Sequence, residues 1–420
     1  IMGYDFTTLG AIIGLVIAIV LIIKKVQPAY SLILGALIGG IIGGGGLVTT
    51  VNTMVSGAQG MMSSVLRIMT SGILAGALIK TGSAEKIAET IVNKLGEKRA
   101  IIAIAIATMF ICAVGVFIDI SVITVAPIAI AIGQKAGLSK SSILLAMIGG
   151  GKAGNIISPN PNTIAASEAF SVDLTALMIK NVIPAFFALI MTIVLASILS
   201  KKSQDQIERM DERNQEKSLP GMLAAISGPL VVIILLALRP LCNISIDPLI
   251  ALPLGGLVSI IATGNIKETI PYTEFGLSKV IGVSVLLIGT GTIAGIIKAS
   301  ALQFDVITLI EAMNMPTFIL APFSGILMAG ATASTTAGAT IASQTFAPTL
   351  LAQGVSALSA AAMIHAGSTV IDSLPHGSFF HATGGSVGMN IKDRMKLIPF
   401  EACIGLTSTI IAVIVYLIVG

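Results

Sequence analysis

GGGKAGNIISPNPNTIAAS, Gly149–Ser167, is the stretch on which the fold turns. Four glycines and two prolines fall between Gly149 and Pro161. Such a run is not expected to hold one uninterrupted helix. Broken backbone at membrane depth is tolerated only where it is buried in protein or lines a cavity. The stretch therefore predicts a broken helix over about 141–170. Asn155, Ser158, Asn160, Asn162 and Thr163 supply uncharged donors and acceptors, and Lys152 a positive charge. Half-helix N–H groups and hydroxyls of this kind can hold a carboxylate. The competing readings are a purely structural kink, and a Lys152 that snorkels or pairs with Asp119 rather than facing an anion.

The rest of the chain agrees with a membrane setting. Its 420 residues include 24 Lys+Arg and 20 Asp+Glu, so one residue in ten is charged, where a soluble domain carries about a quarter. Fifty-five per cent is hydrophobic and the mean hydropathy is +1.00. A cytosolic enzyme is excluded, and so is a single-anchor protein, because apolar runs recur from end to end. The net charge of +4 has no basic block for nucleic acid. Cys112, Cys242 and Cys403 form no metal or redox spacing. Apolar runs about twenty residues long, without two-residue alternation, argue against a barrel.

Apolar segments lie near 6–23, 28–46, 61–79, 100–116, 119–133, 141–158, 176–200, 220–238, 247–263, 279–297, 316–331, 335–352, 356–373 and 398–419. Cationic residues orient them. With the N-terminus outside, and with 100–133 and 316–352 read as hairpins that enter and return, 19 of the 24 cations fall inside. Lys24, Lys25, Lys267 and Lys279 are among these. Arg239 and Lys298 lie outside, and Arg67, Lys152 and Lys180 within spans. Reading either hairpin as a full crossing inverts everything after it and spoils the asymmetry. The polar stretch 201–219, with five cationic and five acidic residues, is the expected cytoplasmic linker between repeats 1–200 and 220–420.

Those two halves resemble each other. Ala146–Pro159, AMIGGGKAGNIISP, aligns without gaps to Ala362–Pro375, AMIHAGSTVIDSLP, with five of fourteen positions identical. Ser71–Gly76, SGILAG, matches Thr290–Gly295, TGTIAG, and Ala126-Pro127 matches Ala347-Pro348. Same element order with opposite orientation is an inverted-topology repeat, a hallmark of secondary transporters. The expected fold is thus an all-α polytopic membrane protein with two re-entrant helical hairpins and two broken helices, the second break about 356–385. Two near-equivalent halves give two conformations of similar energy, which suits alternating access.

Further candidates follow from this frame. Asp119 lies in the first hairpin, AVGVFIDIS (Ala113–Ser121). An intramembrane carboxylate is a functional hypothesis by default, here for substrate or coupling ion, against a structural pair with Arg67 or Lys152. The second hairpin tip, GATASTTAGAT (Gly330–Thr340), offers Ser334, Thr335 and Thr336, whose bland reading is close helix packing. The second break, HAGSTVIDSLPHGSFFHATGG (His365–Gly385), gathers His365, His376 and His381 around Asp372 and Ser373. Histidine titrates near neutral pH, so Asp119, Asp372, His365 and His376 are the candidate coupling-ion groups. No metal-ligand spacing is evident. Ser373, His376 and Asp372 could imitate a hydrolase triad, but the inverted repeat argues against an enzyme. Arg67 could snorkel, pair with Asp119 or Asp372, or attract an anionic substrate.

At these residues the sequence resembles the gluconate permease (GntP) family of proton symporters. VFIDISVITVAPIAIAIGQKAGLS (Val116–Ser139) is similar to that family's phenylalanine/aspartate signature, and SLPHGSFFHATGGSVGMNIKDRMKLIPFEA (Ser373–Ala402) to its C-terminal region. Leu374–His376 most resembles the 3-hydroxybutyrate permease-like branch. Gluconate-type members carry a Pro-Pro-His-Pro-Gly-Pro-like run at the first break, where this chain has Ser158–Asn162, Ser-Pro-Asn-Pro-Asn. The resemblance, to the wider ion-transporter superfamily as well, implies a homodimer of scaffold and moving domains in a bacterial cytoplasmic membrane, with no cofactor.

Together these readings predict a secondary active importer of a small hydroxy-carboxylate such as gluconate, glycerate or hydroxybutyrate, by proton symport of elevator type. Lys152, Asn155, Ser158, Asn160, Asn162, Thr163, Ser334, Thr335, Thr336, Ser373, His376 and Arg67 are the candidate substrate contacts. Sodium coupling and a passive channel for small anions or neutral solutes are the alternatives, with a Ser373 hydrolase behind them. An amino acid such as D-serine also presents the required carboxylate.

Overall fold

A computed structural model describes residues 4–202, 218–312, 315–375 and 377–420; most of the predicted linker 201–219, and His376, lie outside these. The described residues are all-α. The first half contributes α1 (Thr8–Ile23), α2 (Pro28–Ile42), α3 (Gly46–Gln59), α4 (Met62–Lys80), α5 (Ser83–Leu95), α6 (Ala100–Ala113), α7 (Ile118–Lys135), α8 (Lys140–Asn155), α9 (Pro161–Ala169), α10 (Leu174–Lys180) and α11 (Val182–Lys202). The second contributes α12 (Met222–Cys242), α13 (Pro248–Ala262), α14 (Thr269–Lys298), α15 (Leu302–Ala312), α16 (Leu320–Thr332), α17 (Thr335–Ala352), α18 (Ala357–Gly367), α19 (Ser378–Ser386), α20 (Ile391–Met395) and α21 (Ile398–Val419). Among the described residues, five helical stretches, containing α4, α7, α11, α14 and α21, are long and apolar enough to cross a membrane, with shorter apolar helices between them.

The helix order repeats. Each element of the first half has a counterpart about 219 residues later, with α3 and α4 fused in the second half into the 30-residue α14. Side-chain-free helix faces make this correspondence physical. Gly72 and Gly276 meet where α4 crosses α14: a Cβ on Gly276 would lie 2.0 Å from the Gly72 carbonyl oxygen. The repeat-related pair is Gly57 and Gly291, where α3 crosses α14, and a Cβ on Gly57 would lie 2.2 Å from the Gly291 oxygen. Swapping the halves turns one contact into the other, as a pseudo-two-fold relation requires. The matching SGILAG and TGTIAG motifs are thus these crossings.

Two packing groups result. α1 to α4 with α12 to α14 form a scaffold in which α14 packs on α2, α3 and α4. α6 to α11 with α16 to α21 form the other group, centred on α8 and α18. Ser141–Asn155 of α8 and Ser359–Gly367 of α18 are buried on every face, as helices without a polar stripe require.

The structure explains Gly149–Gly154 differently from the sequence. α8 runs through all the glycines and stops only at Asn155. A Cβ on Gly150 would meet the Ala105 carbonyl oxygen at 2.2 Å, and one on Gly154 the Met109 oxygen at 2.2 Å. The glycines let α6 press against α8; the prolines make the break.

Candidate functional site

The first break joins α8 to α9 through Asn160. Its Oδ1 accepts from the Asn162 and Thr163 backbone amides (2.9 and 3.1 Å), capping α9, while its Nδ2 donates to the Asn155 carbonyl (2.9 Å) at the end of α8. One amide side chain thereby satisfies both ends of the broken helix, and Pro161 starts the new one. Thr163 donates its hydroxyl to the same Oδ1 (3.3 Å). Asn162 Nδ2 donates to Asn155 Oδ1 (3.1 Å). Asn155, 2% exposed, leaves its Nδ2 unpartnered, and buried Ser158 Oγ is also unpartnered.

The second break, between α18 and α19, centres on Asp372. Lys152 Nζ donates to its Oδ1 at 2.6 Å and Ser373 Oγ to the same oxygen at 3.0 Å, while Thr335 Oγ1 donates to Oδ2 at 2.6 Å. Lys152 also donates to the Thr369 carbonyl. Lys152 and Asp372 are 1% and 2% exposed, so neither charge is left without its partner. Lys152 therefore pairs with Asp372, not Asp119, tying the first broken helix to the second.

The hairpins close on the same place. Val114–Phe117 turns α6 into α7, with Gly115 at φ +113°, a conformation side chains resist. Ala333, at φ +47°, turns α16 into α17, where Ser334 caps the helix by accepting from the Ala337 amide (3.2 Å). Thr336 Oγ1 donates to Asn162 Oδ1 (2.5 Å), joining the second tip to the first break.

These elements enclose a cavity of about 400 Å³. Of the predicted residues, Asp119, Asn155, Asn162, Ser334, Thr335, Thr336 and Asp372 line it. Lys152, Ser158, Asn160, Thr163 and Ser373 do not; Lys152 and Ser373 are bonded to Asp372 behind its surface, and Asn160 and Thr163 build the first break. Four half-helices, α7, α9, α17 and α19, place first-turn residues on the wall. α19 starts at Ser378 after the N-cap Gly377, with no side-chain cap on its first amides. Its far end is held by buried Arg394, which pairs with Glu401, donates to Thr383 (3.2 Å) and lies 4.8 Å from the Phe380 ring.

Two predicted residues lie elsewhere. His365 is fully buried on α18, with both ring nitrogens unpartnered, and does not line the cavity. Arg67 does not line it either. Its guanidinium reaches Asp247 through two bonds (3.0 and 2.6 Å) and Glu168 at 2.8 Å, and Ser63 donates to Glu168 at 2.8 Å. Asp247, the N-cap of α13, is held below the usual carboxylate range by the hydrogen bond from Arg67. Of the three readings of Arg67, pairing is the one observed, but with acids 101 and 180 residues on rather than with Asp119 or Asp372.

Lys279 was missed. On α14 it lines the cavity with Gly282, Val283 and Leu286, opposite the hairpins; Gln27 and Pro28 complete that wall. Read as a loop cation, it sits ten residues inside a helix that starts before the apolar run. The signal was available in the Pro-free continuity from Tyr272 to Lys298.

A cavity walled by interrupted helices, with polar side chains set among apolar ones inside an apolar helical bundle, is the setting a membrane permease requires. Residues 6–419 match the family described as GntP family permease, and the chain belongs to that family. An uncharacterized transporter of Haemophilus influenzae is 53% identical over 410 residues, covering 98% of both chains. The D-serine transporter DsdX and a high-affinity gluconate transporter, both of Escherichia coli K12, are 20% and 21% identical over 81% and 82% of this chain and 82% and 84% of their own lengths. In fold, the chain is similar to the YdaH transporter of Alcanivorax borkumensis, at TM-score 0.64 and 13% identity, covering 97% of this chain and 98% of that one.

Proposed function

We propose that this permease is a secondary active transporter that imports a small hydroxy-carboxylate by proton symport, through alternating access of elevator type. The observation that carries the reading is the cavity itself: four helix N-termini, an unpartnered Asn155 amide and four hydroxyl residues converge on one space. Oriented N–H groups and hydroxyls favour an anion with neighbouring hydroxyls. Asp119 is the proton carrier in this scheme, because Asp372 is committed to Lys152. His365, outside the cavity, has no part in it.

Alternating access is supported by a second cavity of about 520 Å³, lined by Gly60, Ser64, Glu168, Gly291 and Lys298. Lys279 and Val283 of the first cavity correspond under the repeat to Gly60 and Ser64 of the second. The second lies about 18 Å further along α14, at 1.5 Å per residue from the first. The first opens beside the Lys24–Lys25 turn, which the charge asymmetry assigns to the cytoplasm. On this reading the carrier faces inward, and Arg67, Asp247 and Glu168 close the outer side between scaffold and inner group. The N-terminus is outside, the linker 201–219 cytoplasmic, the membrane the bacterial cytoplasmic one, and the assembly a homodimer.

The test is ligand-dependent thermal unfolding of the purified protein. Gluconate, glycerate and 3-hydroxybutyrate are screened against their neutral amides and D-serine. A ligand at a hundred times its Kd adds about 2.7 kcal/mol to the folded state. At least one carboxylate should raise Tm while its amide does not. No shift from any of them contradicts the reading.

A further inference from the structure

The charged groups lining the cavity do not balance as a simple anion site. Asp119, Asp372 and Lys279 line it, and Asp372 is neutralised by Lys152. That leaves Asp119 on the inner group and Lys279 on the scaffold. Both line the one cavity, and among the described residues no ion pair joins them. Other cations on the surrounding helices turn elsewhere: Lys80 to the Phe275 ring, Arg67 to Asp247 and Glu168, Lys86 to Glu89. Lys279 Nζ itself rests 4.9 Å from the centroid of Phe275. A cation–π contact of that kind is weak enough to yield to a carboxylate.

We infer that Lys279 is the residue that recognises the substrate carboxylate, and that it and Asp119 fix one proton per carboxylate carried. The inference rests on the transporter reading above. Empty, the pair sums to zero. A carboxylate alone would leave an unpaired negative charge beside half-buried Asp119, and a proton alone an unpaired positive charge on exposed Lys279; like-charge repulsion disfavours both. A carboxylate on Lys279 together with a proton on Asp119 restores neutrality, with no bond made or broken beyond the proton transferred from water to the Asp119 carboxylate. The position of Lys279 on the scaffold adds a second consequence. The counter-charge stays behind when the inner group moves, so recognition is strongest in the state facing Lys279.

The experiment compares wild type, K279Q and K279R in proteoliposomes, each first shown monodisperse. Labelled gluconate, glycerate and 3-hydroxybutyrate are the probes, each paired with its neutral amide, with internal pH followed by a trapped dye. In K279Q the preference for acid over amide should fall about tenfold or more, mainly through KM, and proton uptake per substrate should fall with it. K279R should restore both. A merely structural lysine would lower the rate for acid and amide alike and leave their ratio unmoved. An unchanged ratio in K279Q overturns the inference while leaving the transporter reading intact. If wild type carries none of the acids, the transporter reading fails and the inference with it.

Discussion

Asp119 and Asp372 are two carboxylates on one cavity, and their neighbours give them different work. Asp372 accepts from Lys152, Thr335 and Ser373 and is a tie between the two breaks. Removing one partner of a buried ion pair costs about 3–5 kcal/mol, because the other charge is stranded. K152Q should therefore lower the unfolding temperature in detergent sharply, and adding D372N should recover more than half of the loss. Equal Tm for K152Q and wild type would show the pair to be idle. Asp119, in no ion pair among the described residues, should tolerate D119N in folding yet lose proton-driven accumulation; full accumulation would remove it from the coupling. Sequence reading found both acids because a carboxylate in an apolar run announces itself. It could not find their partners. Lys152–Asp372 spans 220 residues and Arg67–Asp247 spans 180, and nothing local marks which cation will meet which acid.

At the scale of elements, the hairpins and breaks were legible from proline, glycine and charge asymmetry, but the meaning of individual glycines was not. Gly149–Gly151 read as part of the break and instead keep a continuous α8 against α6. Small residues serve both close packing and interruption, and only the neighbouring backbone distinguishes them. The crossing of α4 and α14 is the sharpest case. Gly276→Val places new atoms on the Gly72 carbonyl and should cost at least about 1–3 kcal/mol, read as a lower Tm of the purified protein. The same substitution at Gly282, which faces open space, should not. The Arg67–Asp247–Glu168 cluster is an element-level device of another kind. It joins α4 and α13 to α9 by partly exposed ion pairs, worth about 0–1 kcal/mol. Glu168→Gln should therefore shift the balance between inward and outward states about two- to fivefold. Labelling of Ser64→Cys by a membrane-impermeant maleimide from outside would report it, and unchanged labelling would show that Glu168 does not latch that side. Asp247 is held below the usual carboxylate range, so its contribution is present above about pH 4 and lost only as pH falls through the lowered value. The cluster should accordingly persist across pH 5–8.

For the whole molecule, the fold and the family membership define a membrane permease, and the repeat and the two cavities are what the carrier proposal rests on. Composition alone placed the chain in a membrane, and five of fourteen identities sufficed to expose the repeat. The scaffold wall escaped, because Lys279, Gln27 and Pro28 come from parts of the chain that carry no motif and meet the hairpins only in three dimensions. The measurement that bears most directly on the central claim is uptake of a labelled hydroxy-carboxylate into proteoliposomes under an imposed inward proton gradient. A carrier with one site exposed to each side in turn should accumulate the substrate above its external concentration and lose that accumulation when a protonophore collapses the gradient. Uptake that stops at equal concentrations, whatever the gradient, would contradict it and identify a passive channel instead.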